Sequence, residues 1–174
     1  MVALLSDSWL SDFHIDNTLA KISYLHHDNG IDDCHVFLTV FDLDSIASGY
    51  RGSKQTHAAD KCKEFIEIEN EIISGKIESV TGVLHLPNHW TSLVITFKPP
   101  RIFFGDSLGN PMPAIKVSFR KWICHMLGRS GCTIPESDIS IYPLPTTYLQ
   151  DPYSCGPQGY SLNNFMQSGE EKVR

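Results

Sequence analysis

The sequence predicts an α+β fold in which a central mixed or antiparallel sheet is flanked by helices. Three observations predict this class: a helical periodicity near the start, short β-rich runs between residues 79 and 106, and a second helical stripe after them. With 174 residues and a 41% hydrophobic composition, the chain can bury one continuous core without disulfides or metal. No repeat or low-complexity linker divides it, so residues 1–174 are expected to form one domain.

The first part of the chain is expected to contain a helix, a strand, a loop and a second helix. Ser8 can cap the first helix, which the turn sequence HHDNG at 26–30 ends. HVFLTVF at 35–41 predicts a strand, and DLDSIASGYRGSKQT at 42–56 predicts an exposed loop. The second helix is expected from about Ala58 to Ser74. The residues expected to face inward are Leu10, Phe13, Leu19, Ile22 and Leu25 in the first helix and Cys62, Phe65, Ile66 and Ile73 in the second.

Short β-rich runs dominate the middle of the chain. SVTGVLHLP at 79–87, HWTSLVITF at 89–97 and RIFFGD at 101–106 are separated by turn residues, which predicts an antiparallel meander. PAIKVSFRKWICHMLGR at 113–129 opens with proline and predicts a helix, and DISIYPLP at 138–145 predicts a further strand. The apolar stripe of that helix comprises Ile115, Phe119, Trp122, Ile123, Met126 and Leu127.

Charge and cysteine content restrict the partners and the compartment. A formal net charge of -6 without a cluster of Lys and Arg argues against a nucleic-acid partner. The start MVALLSDSWLSD has no basic n-region and no later apolar run reaches transmembrane length, so we expect no membrane partner and an intracellular protein, nuclear or cytoplasmic. Five cysteines at irregular spacings fit a reducing compartment. Cys34-His35 and Cys124-His125 lack zinc-ligand spacing, so no metal and no cofactor are expected.

The stretch LQDPYSCGPQGYSLNNFM at 149–166 places Cys155 between a polar turn and an apolar-periodic run that predicts a helix. A helix N-terminus lowers the pKa of a thiol and so favours the nucleophilic thiolate. Gly156 leaves the sulfur uncrowded, and Pro157 is tolerated in a first helical turn. Free cysteine is also among the most buried residue types. A nucleophile and a core thiol are therefore both open interpretations of Cys155.

The rest of the chain contains the groups that a cysteine nucleophile requires: a base, a group that orients the base, and a donor for the oxyanion. His89 begins one predicted strand and Asp106 ends the next, so a hairpin can bring them side by side. Gln150, five residues before Cys155, can direct its side-chain amide toward the same point. Rival residues of the same types are His85, Asp138 and Asp151.

The order His-Trp, then Asp at the end of the following strand, then Gln shortly before Cys-Gly resembles the ubiquitin-like-protein-specific cysteine proteases, the group of SUMO proteases and the adenovirus proteinase. The resemblance spans about Trp9 to the C-terminus, and WLSDFHIDNTLAKI is similar to the helix with which that domain often begins. It implies a papain-like cysteine protease architecture of the SUMO-protease type. It also implies a peptidase or isopeptidase that cleaves after the C-terminal Gly-Gly of a ubiquitin-like modifier (SUMO or related), with that modifier and its conjugates as partners.

The resemblance implies a role for each matching residue. His89 is the general base, Asp106 orients it, Cys155 is the nucleophile and Gln150 is the oxyanion donor. Trp90 covers the narrow channel for the Gly-Gly tail, and an aromatic core residue is the other interpretation of that position. Many relatives have the Gln one position farther upstream, so Gln150 departs from the family pattern. Acyl transfer by the same triad and a non-catalytic modifier-binding module are the two alternative functions.

Overall fold

A five-stranded mixed sheet forms the centre of the structure, a computed structural model that describes residues 11–28, 34–50, 63–86, 89–106 and 113–144. The helices in these ranges are α1 (Asp12–Asp28), α2 (Val40–Gly49), α3 (Lys63–Ser74) and α4 (Pro113–Arg129), with a 3₁₀ turn at Glu136–Asp138. The strands are β1 (His35–Phe37), β2 (Ser79–Leu86), β3 (His89–Phe97), β4 (Pro100–Gly105) and β5 (Ser140–Pro143).

The strands lie in chain order across the sheet, β1-β2-β3-β4-β5. The central strands β2, β3 and β4 are antiparallel, as the meander prediction requires. Each edge strand instead runs parallel to its neighbour, which makes the sheet mixed. The predicted α+β class, with a central sheet flanked by helices, is confirmed.

Strand β3 is the central strand and is buried on both faces. Its residues Leu93, Ile95 and Phe97 belong to the larger apolar core, which also contains buried residues of α2, α3 and α4. Trp90 belongs to a smaller core with residues of α1. Because side chains alternate along a strand, His89 projects to the face of the larger core and Trp90 to the opposite face.

Helix α4 buries the predicted stripe against the sheet and α3. The indole N–H of Trp122 donates a hydrogen bond to Glu69 Oε1 at 3.0 Å, and the ring stacks on Phe65. This bond satisfies a buried donor and a buried carboxylate together. The buried stripe residues are those predicted: Ile115, Phe119, Trp122, Ile123, Met126 and Leu127.

The segment after β1 differs from the prediction. The predicted strand at 35–41 ends at Phe37, and α2 begins at Val40, within what was expected to be strand and loop. The Thr39 hydroxyl accepts a hydrogen bond from the Asp42 backbone N–H, and the Asp42 carboxylate accepts one from the Thr39 N–H. This capping box starts a helix that the Gly, Ser and Asp content conceals. The buried apolar residues of α2 are Val40, Leu43, Ile46 and Ala47.

The two predicted flanking helices are present in the described ranges, and their inward faces agree in part with those expected. In α1, Leu19 is buried and Ile22 is partly buried, as expected. Phe13 is instead 73% exposed and Leu25 55% exposed, and Ile15 is buried. In α3, Phe65 and Ile72 are buried, while Ile66 is exposed and Ile73 is partly buried. Apolar residues at helical spacing are compatible with several rotations of a helix about its axis, and packing against the sheet selects one of them. Three of the predicted residues lie outside the described ranges: Ser8, Leu10 and Cys62. The remainder of the expected loop at 51–56 and the helix expected after Cys155 also lie outside them.

Gly82 in β2 allows α2 to lie close to the sheet. A Cβ atom at this position would lie 2.7 Å from Leu43 Cδ1 and 2.9 Å from the Leu38 carbonyl oxygen. The second neighbour is backbone and cannot rotate away. We therefore expect Gly82→Ala to lower the free energy of unfolding by about 1 to 3 kcal/mol, as overpacking of a core does.

Urea unfolding followed by circular dichroism measures this loss. Gly128→Ala is the matched control, because a Cβ at this position of α4 meets nothing within 4 Å. Removing a helical glycine should leave the free energy of unfolding unchanged or raise it by up to about 1 kcal/mol. Equal stability of Gly82→Ala and the parent would contradict the close-approach explanation.

Candidate active site

His89 and Asp106 form a buried pair at one end of the β3–β4 hairpin. Nε2 of His89 lies 2.6 Å from Oδ1 of Asp106. The two side chains are 2% and 7% exposed. The structure thus brings together the two residues that the sequence analysis selected as base and orienting group, and their catalytic roles stay predictions.

The strand register explains why these two side chains meet. Ser92 of β3 lies opposite Gly105 of β4. Continuing this antiparallel register by one residue puts Asp106 opposite Thr91, on the same face as His89. A carboxylate just past the end of β4 therefore reaches diagonally to an imidazole at the start of β3.

The hydrogen bond also determines which nitrogen of His89 can accept a proton. An ionised carboxylate is an acceptor only, so Nε2 carries the hydrogen and Nδ1 carries the lone pair of the neutral ring. Nδ1 of His89 is buried and has no hydrogen-bond partner among the residues that the structure describes. Buried polar atoms normally have a partner. An available lone pair at this atom is what a general base requires.

His85, the rival base, lies on the other face of the sheet. It is the cross-strand partner of Trp90 in the β2–β3 pair, and partners share a face. Its Nδ1 lies 3.5 Å from Asp12 Oδ1 of α1. His85 and His89 are both odd-numbered, but odd-numbered residues of β2 pair with even-numbered residues of β3. His85 and His89 therefore lie on opposite faces of the sheet. The structure therefore separates His85 from the Asp106 carboxylate.

The rival carboxylates are not part of the pair. Asp138 ends the exposed 3₁₀ turn and accepts a hydrogen bond from the Ser137 hydroxyl at 3.1 Å. Asp151 lies outside the described residues, as do the predicted nucleophile Cys155 and the predicted oxyanion donor Gln150. Within the described ranges, His89 has Asp106 as its carboxylate partner.

The fold of this chain is similar to that of solved SUMO proteases. No family model matches the sequence, and no curated protein matches it. A crystal structure of a de-sumoylating protease superposes with a TM-score of 0.70 at 17% identity and covers 95% of this chain and 65% of that chain. The chain has the SUMO-protease fold.

Two structures of Ulp1 are similar to the same extent. One is the SUMO protease with its catalytic cysteine oxidised to a sulfenic acid, with a TM-score of 0.68 at 20% identity over 98% of this chain and 73% of that chain. The other is its C-terminal protease domain in complex with Smt3, the yeast ortholog of SUMO, with a TM-score of 0.67 at 20% identity over 98% of this chain and 72% of that chain. The chain spans 65% of the length of the first protease. These similarities concern the fold, and a function has to be argued from the residues of the site.

Trp90 is a core residue of this SUMO-protease fold. Its side chain is 3% exposed and packs with Ile15 and Leu19 of α1 and with Val83 of β2. Its indole nitrogen is buried and has no hydrogen-bond partner in the described part of the chain. The core interpretation of Trp90 thus describes its packing, and its role along a substrate channel stays a prediction.

Three cysteines lie in the described ranges. The Cys124 thiol donates a hydrogen bond to the Ile134 carbonyl oxygen at 3.4 Å. Burial, and then the nearby Glu136 carboxylate, raise the pKa of Cys124 above its usual value. A raised pKa disfavours the thiolate, so Cys124 is unsuited to nucleophilic attack. The other two are Cys34, which is partly buried, and Cys132, which is exposed.

The described ranges contain neither a group of metal-ligating side chains nor a helix that could span a membrane. No three His, Cys, Asp or Glu side chains within them are placed to hold a metal ion. None of the helices in these ranges combines the length and the apolar character needed to cross a bilayer.

Proposed function

We propose that this protein is a cysteine peptidase or isopeptidase that cleaves after the C-terminal Gly-Gly of a ubiquitin-like modifier of the SUMO type or a related one. The observation that carries the proposal is the buried His89–Asp106 pair, with 2.6 Å between Nε2 and Oδ1 and no described partner at Nδ1. The SUMO-protease fold supports it, because solved proteins with this fold include a de-sumoylating protease and Ulp1 in complex with Smt3.

In the proposed reaction, Nδ1 of His89 accepts the proton of the Cys155 thiol. The Asp106 carboxylate holds the Nε2–H and stabilises the imidazolium that forms. The thiolate attacks the carbonyl carbon of the modifier's last glycine, and the carbonyl oxygen becomes an oxyanion. Gln150 and the Cys155 backbone N–H are proposed to donate to that oxygen.

Two steps complete the proposed cycle. The imidazolium returns its proton to the leaving amine as the carbon–nitrogen bond breaks, which leaves a thioester between Cys155 and the modifier. A water molecule then gives a proton to His89 and attacks the thioester carbonyl. The products are the modifier with a free C-terminal carboxylate and the regenerated thiol.

The low exposure of the pair suits this chemistry. Both side chains are almost fully buried, and a water-excluding environment strengthens the attraction between a carboxylate and an imidazolium. The pairing also holds the ring in one orientation, so little reorganisation is needed when the proton moves. The same arrangement would be of little use to a module that only binds a modifier.

The expected substrate preference follows from the proposed channel beside Trp90. Glycine alone lacks the Cβ that would meet the wall of a channel close to the scissile bond. We expect a SUMO-type precursor ending in Gly-Gly to be cleaved, and the same precursor with Ala as the last modifier residue to resist cleavage. Gel electrophoresis of purified precursors, with ubiquitin-type and other fusions in parallel, measures the rates.

Three outcomes separate the candidate functions. Cleavage of any Gly-Gly precursor, and resistance of its Ala counterpart, supports the peptidase. Binding of the precursors without cleavage favours the non-catalytic module. Transfer of an acyl group to protein Ser, Thr or Lys, without precursor cleavage, favours the acyltransferase.

A further inference from the structure

His85 and Asp12 form a small polar cluster on the outer side of Trp90. The imidazole of His85 stacks on the Trp90 ring, with 4.3 Å between ring centroids and 18° between ring planes. Nδ1 of His85 lies 3.5 Å from Asp12 Oδ1 at the start of α1. His85 is 43% exposed, whereas Trp90 is 3% exposed. The histidine therefore lies between the tryptophan and solvent.

The position of Trp90 is determined from two sides. Ile15, Leu19 and Val83 pack against it in the smaller core. The stacked His85 ring covers it from the adjacent strand, at the cross-strand position of the β2–β3 pair. Stacked aromatic pairs add to stability beyond the area that they bury.

Trp90 is also the residue that follows His89 in the chain. The two side chains lie on opposite faces of β3, so His85 reaches the site through Trp90 and not by contact with the His89–Asp106 pair.

We propose that His85, held by Asp12, is a positioning residue that keeps Trp90 in the orientation in which the site takes the modifier tail. This inference rests on the proposed function and goes beyond it, because it assigns a role to two side chains outside the triad. Its signature is a change in KM with little change in kcat, since the proposed triad itself is not altered.

Kinetics with the SUMO-type Gly-Gly precursor test this signature. His85→Ala should raise KM by roughly threefold to tenfold, the equivalent of one aromatic stack. Asp12→Asn should raise KM by a smaller factor, and His85→Phe, which keeps a stacking ring, should have a KM within about twofold of the parent. His27→Ala, an exposed histidine near the end of α1, is the matched control and should leave both constants unchanged. A parent-like KM for His85→Ala overturns the proposal.

A readout that does not need turnover is 19F NMR of protein labelled with 5-fluorotryptophan. The chain contains three tryptophans, and Trp90→Phe assigns one resonance. His85→Ala should shift the Trp90 resonance and leave that of Trp122, whose N–H is bonded to Glu69, in place. A Trp90 resonance that stays in place overturns the proposal, as does a shifted resonance with an unchanged KM.

The same label distinguishes failure of this proposal from failure of the proposed function. If the parent cleaves no precursor, the peptidase proposal fails, and the SUMO-type precursor is then titrated into the labelled protein. A Trp90 shift on binding that is weakened in His85→Ala supports the positioning role in a binding module. No Trp90 shift in the parent overturns it.

Discussion

Cys155→Ser is expected to abolish cleavage of the Gly-Gly precursor, with a loss of about 10⁴-fold or more in kcat. In a site built for a thiolate, a hydroxyl is a far poorer nucleophile than the thiol that it replaces, whereas the small change in size should leave the fold and modifier binding intact. Single-turnover cleavage and the binding affinity of the variant are the two measurements.

Cys132→Ser is the matched control for the nucleophile. Cys132 is exposed among the described residues, and its replacement should leave the cleavage rate within about twofold of the parent, as surface substitutions usually do. Near-parent cleavage by Cys155→Ser would remove Cys155 from the mechanism. Loss of cleavage in the Cys132 variant would direct attention to that thiol instead.

The second large effect is expected at the buried pair. His89→Ala should lower kcat by about 10⁴-fold or more, because no base then accepts the thiol proton. Asp106→Asn should have a comparable or smaller effect, since the amide favours the wrong tautomer of His89 and cannot stabilise the imidazolium. Cleavage rates of the purified variants, with circular dichroism to check the fold, measure both effects.

Asp138→Asn is the control for the carboxylate. Asp138 is the rival carboxylate of the sequence analysis and lies in an exposed 3₁₀ turn, so its variant should cleave at the parent rate.

The rate of alkylation by iodoacetamide supplies a second test of His89, because loss of its imidazole should slow alkylation of Cys155 at pH 6 to 7. An active His89→Ala variant would contradict the triad assignment.

Local patterns were sufficient to predict the elements that carry the candidate pair. Three short β-rich runs at 79–87, 89–97 and 101–106, with a turn between the last two, define the hairpin, and hydrophobic residues at helical spacing define α4. Because His89 and Asp106 lie at the adjoining ends of neighbouring strands, their meeting follows from hairpin geometry alone. The capping box at Thr39 and Asp42 was also in the sequence, three residues apart, and it predicts α2 when composition is set aside.

Other features depended on tertiary packing. Strand register across the β2–β3 turn decides that His85 faces Asp12 and not Asp106, and a shift of one residue would reverse this. Packing of α1 decides that Trp90 is buried, and that Phe13 is not. Local periodicity states which residues share a face, but the partner that covers each face is selected by the whole chain, because burial depends on contacts between residues distant in sequence.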